Sequence, residues 1–313
     1  MIRQAVFPSP KPLRGQFRKA FRKEYPLHLM LFLPVLLLFV YKYIPMFGVV
    51  MAFQKYMPAK GILGSQWVGL KNFQILFRMP GFTSAIRNTI SISIAKIILN
   101  ILVPVVFSLM LNEIGNLKVK KTIQTIIYMP HFVSWVLLAG IIVRICSQTG
   151  LLNQFLKALG KEPVVLLADK TSFQPLLLVT DTWKEFGYGT VIYLAAISGV
   201  NTDLYEAAQI DGANHWQEVW HITLPGILST IVLMAALALG RVLDAGFEQI
   251  FNLYSPVVYE TGDIIDTFVY RLAFNNAQYS MSAAAGLFKS AISCILVVAS
   301  YRIAYVTTGY RVF

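Results

Sequence analysis

Long apolar runs alternate with short polar stretches along this chain, at roughly 27–50, 85–111, 122–145, 173–199, 226–250 and 283–306. Each is about as long as the ~20 residues a helix needs to cross the hydrocarbon core of a bilayer. None shows the alternation of polar and apolar positions that marks the strands of a membrane barrel. The pattern predicts an all-α membrane protein with six transmembrane helices. Pro34, Pro104, Pro130 and Pro175 lie in or near these runs, where proline removes a backbone N–H and kinks a helix. Neighbouring helices satisfy the freed carbonyls in a bundle, and such kinks suit one that alternates between inward and outward openings.

Composition agrees with this pattern. Hydrophobic residues make up 56% of the 313 and charged residues only 13%, against about a quarter charged in a soluble domain. The first apolar run follows a basic tail and is too long for a signal-peptide core, so it reads as a retained helix. The tail, residues 1–26, carries Arg3, Lys11, Arg14, Arg18, Lys19, Arg22 and Lys23 against Glu24. The excess of positive charge places it in the cytoplasm. Residues 16–25 suit an interfacial helix with Phe17 and Phe21 inserted. Lys118, Lys120 and Lys121 put the connection between the second and third runs on the same side, and six crossings return the C-terminal tail, with Arg311, to the cytoplasm. The membrane domain is then 27–313. Cys146 and Cys294 lie in separate runs, and both are expected to act as small buried apolar groups.

One polar stretch between apolar runs is sharply punctuated. Residues 203–225 read DLYEAAQIDGANHWQEVWHITLP. Asp203 is expected to cap a short helix, with Glu206 three residues on as in a capping box. Gly212 can take the left-handed conformation that ends it. A second helix with Trp216, Val219, Trp220 and Leu224 is expected to run to Pro225. Two short helices joined at a glycine predict a compact knob on the membrane surface, and the charge-derived topology puts it inside the cell.

The pattern Glu206-Ala207-Ala208, Asp211-Gly212-Ala213 and, nine residues on, Ile222-Thr223-Leu224-Pro225 resembles the EAA loop of binding-protein-dependent ABC importer permeases. Within that family it is most similar to the sugar branch that includes the maltose, multiple-sugar and complex-polysaccharide systems. Thr202 departs from the proline often found before the acidic-Leu pair. The stretches 67–77, 87–94, 111–140, 168–200, 247–271 and 286–290 look like the same group, so the likeness covers residues 16 to 313. The resemblance implies a type I ABC importer permease fold in a bacterial inner membrane, with 201–225 as the coupling loop. It assigns ATPase coupling to Glu206, Ala207, Ala208, Asp211, Gly212, Ala213, Leu224 and Pro225. The implied partners are a second related permease, two ATPase subunits that bind ATP and magnesium, an extracytoplasmic sugar-binding protein and an oligosaccharide. No nucleic-acid partner is expected.

The chain has no G-x-x-x-x-G-K-[ST] phosphate loop. His28, His131, His215 and His221 stand at no metal-ligand spacing, and no nucleophile triad is legible. The subunit is therefore expected to be neither an enzyme nor a cofactor carrier. Ionisable residues inside the apolar runs are costly and usually face a partner or a wet cavity. Arg241, Asp244 and Glu248 recur at helical spacing, predicting one shared face of the fifth helix. Asp181, Lys184 and Glu185 cluster in the fourth, Lys96 and Asn100 share a face of the second, and Lys289 lies in the sixth. Two readings stand: ion pairs that lock the bundle, or the lining of a sugar path. For the path, Arg241 and Glu248 are the candidate charges, and Trp183, Tyr188 and Tyr193 (with Trp135) the candidate stacking surfaces. Aromatic residues near helix ends also serve as interface anchors.

Residues 42–84, predicted external, hold Lys42, Lys55, Lys60, Lys71 and Arg78 and no acidic residue. They are either solvated cations at the lipid headgroups or a basic vestibule for an acidic, uronate-containing sugar. A neutral oligosaccharide or another polar solute is the alternative cargo. Rival functions are an ion-gradient secondary transporter, which leaves the 203–225 motif unexplained, and a membrane enzyme acting on lipid-linked sugars.

Overall fold

The computed structural model describes residues 14–308 and is almost entirely helical. The tail charges Arg3 and Lys11 and the C-terminal Arg311 lie outside the described residues, as do the side chains of Phe17 and Phe21. The chain divides into two compact units, residues 1–50 and 51–313.

In the first unit α1 (Arg14–Leu38) continues through a π turn at Phe39–Tyr43 into Ile44–Met46. The π turn stands directly before Ile44-Pro45, and Ile44 N–H donates to Phe39 O. The wider turn spares the carbonyl that a proline ring would otherwise strike, and lets the chain stay helical without the missing N–H.

The second unit begins with a two-stranded antiparallel ribbon, β1 (Gln54–Lys55) with β2 (Gln66–Trp67), followed by α2 (Lys71–Arg78) and the long α3 (Pro80–Asn112). Next come α4 (Leu117–Tyr128), α5 (Trp135–Cys146), α6 (Leu151–Ala158) and α7 (Phe173–Ser198). After α8 (Thr202–Ile210), a continuous helix α9 runs from His215 to Leu239. Short α10 (Phe247–Leu253) and α11 (Ile265–Tyr270) precede α12 (Tyr279–Thr308). Asp169 stands before α7 and accepts from the Ser172 and Thr171 hydroxyls and the Ser172 N–H, which hold its carboxyl down at about 2.

Among the described residues, five helical segments are long and apolar enough to cross a membrane: 24–53, 80–112, 135–158, 215–239 and 279–302. The fourth expected run forms the 26-residue α7, but Asp181, Lys184 and Glu185 interrupt its apolar character. Two other expected runs are broken. The run 122–145 is split between α4 and α5 by a 3₁₀ turn at Met129–Phe132, where Pro130 cannot continue the ladder. The run 226–250 ends its helix at Leu239 and turns before α10, so Arg241, Asp244 and Glu248 do not share a helix face.

Three apolar clusters hold the second unit together. One joins α3, α5 and α7 to α10 through Ile92, Leu138, Leu177 and Ile250. A second packs Leu76 and Phe82 against Phe268, Leu272 and Ala284. The third gathers Val105, Tyr193, Ile197 and Ile227, with Leu224 against it.

Candidate functional site

The expected knob is present, and its local construction differs from the sequence reading at its first cap. Asn201, not Asp203, caps α8: its side chain accepts the Asp203 N–H at 3.0 Å. Asparagine has both the short reach and the extended backbone that an N-cap needs. Gly212 has φ +79°, and around it Gly212 N–H donates to Gln209 O while Ala213 N–H donates to Ala208 O. That pair of bonds is a Schellman motif, which closes a helix through a left-handed residue. Two residues on, Asn214 opens α9 with a reciprocal capping box to Gln217, at 3.0 and 2.7 Å. The bend between α8 and α9 is therefore fixed on both sides by backbone-directed bonds.

Pro225 does not end this second helix. A π turn at Val219–Thr223 immediately precedes Leu224-Pro225, with Leu224 N–H donating to Val219 O, and the helix continues to Leu239. Tyr205 of α8 meets Thr223 at 2.9 Å across the elbow. Glu206, Ala207, Asp211 and Pro225 are exposed, Ala208 and Ala213 half-buried, and Leu224 faces the apolar cluster of α3 and α7. Ile210 and Trp216 are 86% and 71% exposed, so the knob offers apolar surface as well as charge. His215 reaches back to Glu113, just past the end of α3, at 3.2 Å.

Inside the second unit, α3, α7, α9, the turn after Leu239 and α12 enclose a cavity of about 650 Å³. Its polar wall centres on Lys96. The ammonium donates to Asp181 at 2.8 Å, to the Ala245 carbonyl at 2.9 Å and to Gln249. All three donors of a buried lysine are thus used, as burial of a charge requires. Asn100 donates to the other oxygen of Asp181 at 3.0 Å, and Gln249 donates onward to Leu177 O and the Thr180 hydroxyl. Gly246, at φ +90°, lets the turn pass over the amine; a Cβ there would lie 2.9 Å from Lys96 Nζ.

A second cluster sits where Pro130 breaks the chain. Lys184 donates to His131 O at 2.6 Å and pairs with Glu185 at 3.2 Å, while Glu185 meets His131 Nδ1 at 2.7 Å. The His131 ring lies flat on Tyr188, with centroids 4.3 Å apart and planes 5° from parallel. Glu185 and Tyr188 both line the cavity. Metal-ligand spacing gives His131 no role in the sequence. Its partners are 53 to 57 residues away, and only the proline break beside it hinted at a special position.

Of the candidate path residues, Tyr188, Tyr193 and Arg241 line the cavity, and Asp244 joins them. Trp183 and Glu248 do not: both are exposed elsewhere, Trp183 on another face of α7 and Glu248 on α10 beyond the turn. Arg241 and Asp244 form no ion pair among the described residues, in contrast to Lys96, Lys184 and Lys289, which pairs with Asp266 at 2.5 Å. Ser93 Oγ and Asn100 Oδ1, on cavity-lining residues, have no hydrogen-bond partner. The wall therefore offers one free guanidinium, one free carboxylate and the exposed Tyr188 ring: groups suited to a polyhydroxylated ligand. No group of three or more metal-ligating side chains occurs among the described residues.

The family described as binding-protein-dependent transport system inner membrane component matches residues 101–305. Over 287 residues the chain is 40% identical to the polygalacturonan/rhamnogalacturonan transport system permease protein YteP of Bacillus subtilis, covering 91% of this chain and 89% of that one. It is 38% identical over 286 residues to protein LplB of the same bacterium, covering 91% and 90%. A chain from the crystal structure of a bacterial ABC transporter involved in import of the acidic polysaccharide alginate superposes with a TM-score of 0.86 at 35% identity, covering 94% of this chain and 99% of that one. A chain of the bacterial alginate ABC transporter, in complex with its alginate pentasaccharide-bound periplasmic protein, superposes with a TM-score of 0.85.

Proposed function

Because this chain belongs to the family of binding-protein-dependent transport system inner membrane components, we propose that it is the permease subunit of an ATP-driven importer for acidic, uronate-containing oligosaccharides. The observation that carries the reading is the knob at 201–225: a doubly capped, exposed elbow that continues without a break into the helix lining the cavity. A rigid lever of this kind passes motion from a docked partner to the cavity wall. Glu206, Ala207, Ala208, Asp211, Gly212, Ala213, Leu224 and Pro225 are its coupling residues.

In this reading α7 is the sixth crossing, its charges turned inward: Asp181 and Lys184 are buried and paired. Both termini are cytoplasmic. The partners are a second related permease, two ATPase subunits that bind ATP and magnesium, and an extracytoplasmic binding protein that delivers the sugar. Closure of the ATPase pair pulls the knobs, the bundle rocks, and the cavity exchanges its opening from one side to the other. The acidic cargo is supported by two relatives, one named for polygalacturonan and rhamnogalacturonan and one for alginate. Exposed Lys55, Lys60, Lys71 and Arg78 support it too, since no acidic residue stands among them. Within the cavity, Arg241 is the group to meet a carboxylate, by the two-pronged geometry of a guanidinium. Asp244 takes sugar hydroxyls, and Tyr188 offers a ring face.

The test is ATP hydrolysis by the assembled complex in lipid, with its binding protein, across uronate and neutral oligosaccharides. Stimulation by uronate sugars supports the reading. Stimulation by neutral sugars alone replaces the cargo and leaves the importer, whereas a chain that copurifies with no ATPase overturns the role of the knob.

A further inference from the structure

His131 itself does not line the cavity, yet it sits against two residues that do, Glu185 and Tyr188. Histidine is the side chain whose ordinary titration falls between pH 5 and 8. His131 is half-buried and meets Glu185 at 2.7 Å, and its ring covers the back of Tyr188. The charged and titratable groups in contact with it are Glu185, Lys184 and Tyr188, all from α7, and Lys184 also lies over the Trp135 ring of α5. Lys184 already balances Glu185 at 3.2 Å and donates to the His131 carbonyl at 2.6 Å. Hence neutral His131 leaves this wall with no net charge, and protonated His131 makes it positive by one. Farther along the wall, Lys96 and Asp181 cancel, and Arg241 and Asp244 contribute one charge of each sign. The proton on His131 therefore decides the sign of the wall as a whole.

We infer that His131 is a positioning residue that sets the affinity of the cavity for anionic sugars through its protonation, acting through Glu185 and Tyr188. The inference rests on the acidic-oligosaccharide reading above. Uronate uptake then strengthens as pH falls from 8 to 5.5, and neutral-sugar handling does not follow. An extra unit charge at a partly screened wall is worth about a tenfold change in affinity.

The experiment measures the apparent KM for uronate oligosaccharide uptake, at both pH values, by the full complex reconstituted in proteoliposomes. The wild type is compared with His131→Gln and His131→Arg. Glutamine keeps a hydrogen bond to Glu185 without a charge. Arginine keeps the charge permanently on a planar group that can lie on Tyr188. The inference expects the wild-type KM to fall about tenfold on acidification, His131→Gln to hold the high value at both pH values, and His131→Arg to hold the low one. A loss of structural support would move both variants the same way. A slope kept in His131→Gln, or a wild type that takes up uronate sugars with no slope, overturns the inference alone. A complex that takes up only neutral sugars overturns the acidic-cargo reading, and the inference with it.

Discussion

The elbow at 201–225 and the polar wall around Lys96 are both assembled from hydrogen bonds, but over very different sequence distances. At the elbow, Asn201 reaches Asp203, Gly212 reaches Gln209, and Asn214 exchanges bonds with Gln217. At the wall, Lys96 joins residues 85, 149 and 153 positions away. The elbow can be rigid by itself and still stand exposed to a partner. The wall exists only when α3, α7 and the turn before α10 are packed together. Substitutions at the first should damage transport and spare the fold; substitutions at the second should damage the fold itself.

The largest effect is expected at Lys96. Lys96→Met leaves the buried Asp181 without its cation, a loss of about 3–5 kcal/mol for a broken buried pair. Thermal unfolding of the purified complex should show it, and adding Asp181→Leu should recover much of the loss. A single variant as stable as the wild type would mean the wall does not organise the bundle. Gly246→Ala comes next. It combines a φ of +90° with a new Cβ 2.9 Å from Lys96 Nζ, and strain of that kind costs about 1–3 kcal/mol. Unchanged stability there would separate the turn from the lysine it covers.

Gly212→Pro probes the other side of the comparison. Proline holds φ near −65° where Gly212 has +79°, and it removes the N–H that bonds Gln209. Assembly in the membrane should persist while transport per ATP falls to a small fraction of the wild-type ratio. Glu206→Lys, on the exposed face of α8, should do the same by reversing the charge offered to the ATPase. Normal coupling in both would remove the lever.

The same difference in distance decides what could be read before any coordinates. Gly212, the short helices and the placement of the elbow were legible because their causes lie within a dozen residues. The first cap was misassigned because Asn201 and Asp203 are both good capping residues, and spacing alone favoured the one with Glu206 behind it. Charges inside apolar runs were legible as costly, but their partners were not. Lys96 with Asp181, and His131 with Glu185, require knowing which helix faces meet. The shared face assigned to Arg241, Asp244 and Glu248 failed for a local reason. Helical spacing can be drawn through 240–246, yet Gly240 and Gly246 bracket Arg241 and Asp244 and allow the helix to stop and turn. Pro130 carried the opposite lesson: its break looked like a kink in a crossing, and it frames the wall that holds His131.

The smallest effect is expected at the second cap. Asn214→Ala removes one half of the capping box at the start of α9, and such caps are worth about 1 kcal/mol. Because α9 continues for 25 residues into the cavity lining, the helix itself will not be lost, and the unfolding temperature of the complex should barely move. Coupling should respond more than stability does, since the cap fixes the angle at which α8 meets α9. The informative quantity is the ratio of sugar transported to ATP hydrolysed in the Asn214→Ala complex, set beside its melting temperature. A reduced ratio with an unchanged melting temperature means that the elbow works by its angle. Both unchanged would mean that the Schellman turn at Gly212 fixes the angle alone, and both reduced would mean that the elbow supports the bundle as the Lys96 wall does.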